Sequence, residues 1–199
     1  MLEDIFKTLK ADLDPRFIVA PMRIKLPQEA VDSLNEVWKN SVTQGVEEDN
    51  NEFDPREIDP NKIDKDLISF MYESARTYVW DTLDRREDLF KEFDMRIGQV
   101  RVNSQFENDF TPINSRIGVV TGLIHLKVPT QVDLTQGALS FVYGDYHYPT
   151  LKNQGVKSVK PEIGDMYIFP AWLLHYYNPF KGDGELRTLS YNFYNENAI

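Results

Sequence analysis

Residues 161–195, PEIGDMYIFPAWLLHYYNPFKGDGELRTLSYNFYN, read as a strand, a turn, a second strand, a loop and a third strand. Gly164-Asp165 is a turn signal, and Met166 to Phe169 is a short apolar run with two aromatics. Pro170 has no N–H to donate, so it is expected to end the first ladder. Trp172 to Tyr177 forms the second run and carries His175. Pro179 and Lys181-Gly182-Asp183-Gly184 break the chain again before Arg187 to Phe193.

Outward from this stretch, the half after Asp94 predicts further short strands. Met95 to Gln105, Val119 to Val128 and Ala138 to Tyr143 are β-branched or aromatic and separated by turn residues. The half before it reads differently. Leu2, Ile5, Phe6 and Leu9 recur at helical spacing within Leu2 to Leu13. Phe17 to Leu26 reads as a strand interrupted at Pro21. Pro27 suits the start of a helix to about Lys39, with Val31, Leu34 and Trp38 on one face. Asp66 to Leu83 gathers Leu67, Phe70, Met71, Ser74, Tyr78 and Val79 toward one side, with Asp66 as its expected N-cap. Helices first and strands afterward predict an α+β single domain over 1–199. A helical buttress, 1–93, would contain an acidic loop at 44–65. It would pack on a double-stranded β-helix (jelly roll) core, 94–199.

Composition narrows the chemistry. A chain of 199 residues can bury a full core. It has no Cys, hence no disulfide, thiolate metal site or Cys nucleophile, and only three His: His125, His147 and His175. The net charge of −10 argues against nucleic acid and anionic membranes as partners. Nine acidic and three basic residues between Glu47 and Asp66 supply −6 of it. No apolar run approaches the length of a membrane span, and the N-terminus lacks the basic and apolar regions of a signal peptide. A cytoplasmic or virion location is expected.

The pattern G-D-x-x-x-F-P-x-x-x-x-H from Gly164 to His175, with Arg187 twelve residues further on, resembles the C-terminal half of iron(II)/2-oxoglutarate oxygenases. It is most similar to the small prolyl-hydroxylase-like oxygenases of cyanophage-type viruses. The resemblance implies that His175 holds the position of the last iron ligand. It also implies that Arg187 would grip the far carboxylate of 2-oxoglutarate; Ser190, Tyr191 or Tyr143 could assist, and the alternative for Arg187 is a strand-end residue in a structural ion pair. Upstream, the family's H-x-H or H-x-D pair falls on Asn114 and Arg116, in a frame that matches without a gap through Pro129. Asn114 is a neutral amide, and Arg116 is a permanent cation that cannot ligate a metal.

Three readings follow. The first is a degenerate relative, a non-catalytic binding or virion structural protein that assembles with other protein subunits or its own copies and needs no cofactor. The second is an active dioxygenase using Fe(II) and 2-oxoglutarate through His175 and atypical partners. The third is an unrelated jelly-roll module for a small anion or sugar. His125 is expected to pack within its strand and His147 to lie in a loop, while Asp109, five residues before Asn114, is a conceivable extra carboxylate. If Arg116 points inward, it should find an acid or a bound anion.

Overall fold

The computed structural model describes residues 11–13, 20–43, 56–83, 85–91, 94–143 and 155–196. Eleven strands form two antiparallel sheets. In chain order they are β1 (Ala11–Leu13), β2 (Met22–Lys25), β3 (Arg56–Ile58), β4 (Met95–Gln105), β5 (Thr111–Asn114), β6 (Val120–Lys127), β7 (Leu139–Val142), β8 (Val156–Val159), β9 (Asp165–Pro170), β10 (Leu174–Tyr177) and β11 (Leu186–Asn195). The larger sheet has the order β1-β2-β9-β6-β11-β4-β3, and the smaller one β5-β10-β7-β8. Among the described residues the α-helices are α1 (Gln28–Thr43), α2 (Lys65–Thr82) and α3 (Glu87–Phe90).

The larger sheet is buried on both faces, and its central strands show why. On β6, Val120, Ile124 and Leu126 join a core shared with α1 and α2, while Leu123 faces the smaller sheet. On β9, Met166 and Ile168 face the helices, and Tyr167 and Phe169 face inward. Period-2 alternation therefore feeds two hydrophobic clusters instead of one core and one wet face. Val31 and Leu34 of α1 and Leu67, Met71, Ala75, Tyr78 and Val79 of α2 complete the helix-side cluster. The cluster between the sheets is aromatic, with Phe141 and Phe169 meeting edge-to-face at 5.1 Å.

Three local expectations need correction. Ala11–Leu13 is a strand paired with Met22–Ile24, not the end of a helix; the free edge of β2 offers a ladder that local periodicity does not register. Residues 1–10 lie outside the described part. Within the acidic 44–65 segment, 44–55 also lies outside, but Arg56–Ile58 pairs with β4, anchored by Ile58 at 1% exposure opposite Val100. The N-cap of α2 is Asp64, whose carboxylate accepts from the N–H groups of Asp66 and Leu67. Pro170 does end β9, as expected, paired with Val120.

Candidate anion-binding cleft between the sheets

At one end of the sandwich the two sheets part around an open cleft of about 540 Å³. The larger sheet contributes Asn103 from β4, Leu123 from β6, and Thr188 and Ser190 from β11. The smaller sheet contributes His175 and Tyr177 from β10, and Thr111, Pro112 and Asn114 from β5. Phe110 and Arg116, on either side of β5, complete the wall.

Backbone pairing fixes the positions that the sequence singled out. His175 is the register partner of Asn114 across β10 and β5. Arg116 follows two residues later, its backbone N–H bonded to the carbonyl of Ala171 at 2.8 Å. Asn192 Nδ2 donates to the Ile117 carbonyl at 2.8 Å, and the Val119 N–H donates to Phe193 O at 2.8 Å. Between them Gly118 has φ 136°, and a Cβ there would stand 2.7 Å from Phe193 O. The turn therefore threads against β11 in a conformation that favours glycine.

His175 is buried, and its Nδ1–H donates to the Leu173 carbonyl at 3.0 Å. That bond assigns the lone pair to Nε2. Burial, with Arg116 adding repulsion against the bond to Leu173, pushes its pKa down to about 4, so the ring is neutral at pH 7. Asn114 donates from Nδ2 to the Pro112 carbonyl at 2.8 Å and leaves Oδ1 buried and unpartnered. Arg116 is half-buried, its Nε is buried without a hydrogen-bond partner, and no salt bridge to it exists among the described residues. Burial and then the nearby Arg101 lower its pKa from the usual value. The expected acid is therefore not found. Asp109 turns instead to the Phe106 N–H at 2.8 Å, closing a local turn.

The iron triad of the fold requires two imidazoles and a carboxylate, or a near variant, on one face. These residues do not fit it: one imidazole faces a neutral amide and a guanidinium. Among the described residues no three His, Cys, Asp or Glu side chains group as a metal site.

Arg187 does not line the cleft. It projects from the opposite face of β11, where Nε and Nη2 meet Glu185 at 2.7 and 2.6 Å, and Nη1 reaches Asn35 Oδ1 at 2.9 Å. Its guanidinium stacks 3.4 Å from the ring centre of Trp38 on α1. Burial raises the pKa of Glu185, but bonds from Arg187, Ser104 and Lys127 outweigh it and leave the carboxylate below its usual range. Ser190 does line the cleft, whereas Tyr143 packs beside the inter-sheet cluster. His125 is fully buried, bonded to the Asp165 carbonyl and to Tyr177 Oη, as expected of a packing residue. His147 lies outside the described residues. Asn103, Thr111, Tyr177 and Thr188 were not among the expected site residues.

Residues 114–192 match the sequence model of the family described as "Putative 2OG-Fe(II) oxygenase". No curated protein sequence matches the chain. Among solved structures, a prolyl-4-hydroxylase of Pseudomonas putida superposes with a TM-score of 0.58 at 15% identity, over 98% of this chain and 93% of that one. AviO1 of Streptomyces viridochromogenes Tue57 gives 0.57 at 15% identity, covering 96% and 98%. Apo HygX of Streptomyces hygroscopicus gives 0.56 at 11% identity, covering 90% and 84%. No helix among the described residues is long and apolar enough to cross a membrane. Residues 114–192 thus carry the sequence pattern of the 2OG-Fe(II) oxygenase family, and the chain has the double-stranded β-helix fold of those enzymes.

Proposed function

We propose that this protein uses the oxygenase barrel for binding rather than for iron-dependent oxidation. The observation that carries the reading is the pairing of Asn114 opposite His175, with Arg116, which no carboxylate among the described residues meets, two residues on. In the family's reaction the metal activates dioxygen while 2-oxoglutarate is consumed, and side chains alone do not supply that chemistry. A cation at a ligand position also repels a second cation, and a single imidazole holds iron weakly. Arg187, the expected partner of the 2-oxoglutarate carboxylate, is engaged by Glu185 on the helix side. In this reading the protein works as a binding or structural component, with protein subunits or copies of itself as partners, in the host cytoplasm or the virion.

A second reading has one observation in its favour. His175 keeps a free Nε2 lone pair, and Asn114 Oδ1 is an unused buried oxygen. An active Fe(II)/2-oxoglutarate hydroxylase would need both as ligands, with a third from elsewhere.

Anaerobic calorimetry with Fe(II) and 2-oxoglutarate separates the two. The natural chain is expected to bind neither tightly. The variant Asn114→His/Arg116→Asp should gain Fe(II) binding, and adding His175→Ala to it should abolish that gain. Tight Fe(II) binding by the natural chain, lost in His175→Ala, overturns the binding reading.

A further inference from the structure

The cleft has a chemical signature of its own. Arg116 brings a positive charge that no described carboxylate neutralises, and Arg101 of the same sign stands near enough to perturb it. Glu57, the cross-strand partner of Arg101, is exposed and forms no ion pair with it. This cationic pocket belongs to a chain whose net charge is −10, so it is a local feature and not a reflection of composition. An unpaired, half-buried guanidinium is costly, and the cost falls when an anion takes its N–H groups.

Two acceptors lie beside the cation. Asn114 Oδ1 is buried without a partner, and Asn114 and His175 face each other across the β5–β10 ladder. His175 Nε2 carries a lone pair because Nδ1–H is committed to Leu173. A bare anion would satisfy the arginine and leave both acceptors unmet. A ligand with a hydroxyl or N–H next to its carboxylate would satisfy the arginine and, through that one hydrogen, the Asn114 oxygen, with His175 Nε2 left to solvent. Phe110, Pro112 and Leu123 supply apolar walls, and about 540 Å³ leaves room for a ring or a short chain.

We propose that this cleft binds a small monocarboxylate bearing a hydrogen-bond donor beside the carboxylate and an apolar body. Arg116 takes the charge, and Asn114 Oδ1 accepts the donor's hydrogen. The proposal rests on the metal-free reading above, since iron held by His175 would stand opposite Asn114 in the same cleft.

The test uses the full chain in EDTA with mandelate, phenylacetate and phenylacetamide as probes, followed by calorimetry and by NMR shifts of the His175 ring. Mandelate is expected to bind saturably. Phenylacetate, which lacks the hydroxyl, should bind about 5- to 10-fold more weakly, and neutral phenylacetamide weakest of all. Arg116→Gln should weaken mandelate by about 10- to 100-fold, with Arg116→Lys in between. Asn114→Leu should remove the preference for mandelate over phenylacetate. Circular dichroism of each variant verifies that the fold is intact. Equal affinity for the acid and the amide, or indifference to Arg116→Gln, overturns the proposal even if iron still fails to bind. Mandelate binding that appears only on adding Fe(II) overturns the metal-free reading itself.

Discussion

His125 offers the sharpest check on the interior of this barrel. It is fully buried, with Nδ1–H directed to the Asp165 carbonyl at 3.2 Å and Nε2 accepting from Tyr177 Oη at 2.8 Å. Both ring nitrogens are used by the neutral form, and protonation would leave two donors facing each other at the tyrosine. Burial is the main cause that lowers its pKa from 6.5 to about 4. Because the folded pKa is below the unfolded one, the unfolded chain binds the extra proton throughout this window. Stability is therefore complete above about pH 6.5 and falls as the pH drops toward 4. By linkage this one residue removes about 2 kcal/mol at pH 5 and about 3 kcal/mol at pH 4, a large share of a typical folding free energy. Urea unfolding of the natural chain and of His125→Phe, from pH 7.5 to 4.5, isolates the term, because the carboxylates contribute equally to both. The variant should be less stable at pH 7, where Tyr177 loses its acceptor, at a cost of about 1–3 kcal/mol. The two curves should then converge with acid. Parallel curves across the whole range would refute the neutral, buried assignment.

Other expectations are simpler. Arg187→Met should cost about 3 kcal/mol by leaving Glu185 buried without its main partner, and Arg187→Met/Glu185→Leu should recover most of it in thermal unfolding. An unchanged melting temperature for the single variant would contradict the placement of Arg187. At Gly122 an added Cβ would land within the Tyr191 ring, so Gly122→Ala should destabilise by about 1–3 kcal/mol or more. Combining it with Tyr191→Leu should cost less than the sum, which a double-mutant cycle in denaturant measures. Asp64→Ala should lose about 1 kcal/mol through the cap of α2, and Asp66→Ala less, as read from denaturation midpoints.

Much of the barrel was legible because its central strands are apolar on both faces and are punctuated by Gly and Pro. β4 falls where the run from Met95 to Gln105 predicts it. The short edge strands β1, β3, β5 and β8 were not legible, since three or four residues carry too little periodicity and form only against a waiting ladder. The motif frame assigns Asn114 and His175 to one site, and only the structure shows them as register partners across β5 and β10. Of the two readings of Arg187, carboxylate grip and structural ion pair, the structure shows an ion pair with Glu185, and the sequence held a clue. Arg187 and Ser190 are three residues apart, so on one continuous strand they face opposite ways, and both cannot line a single cleft. The cleft side belongs to Thr188 and Ser190, and the parity of the strand gives Arg187 to the helices. Asn103 and Thr111 join the site only through the closure of two sheets, which no local pattern encodes.

The turn that carries Arg116 is held from both sides by main-chain bonds to Ala171 and Phe193 and by the Asn192 amide, none of which involves the side chain at 116. The scaffold therefore fixes an address without specifying its tenant. A carboxylate, a guanidinium or an uncharged group would be delivered to the same point in space at little conformational expense. Selection on reactivity and selection on folding act here on separate atoms. A substitution at this corner is therefore felt through the charge it brings and not through the path of the backbone.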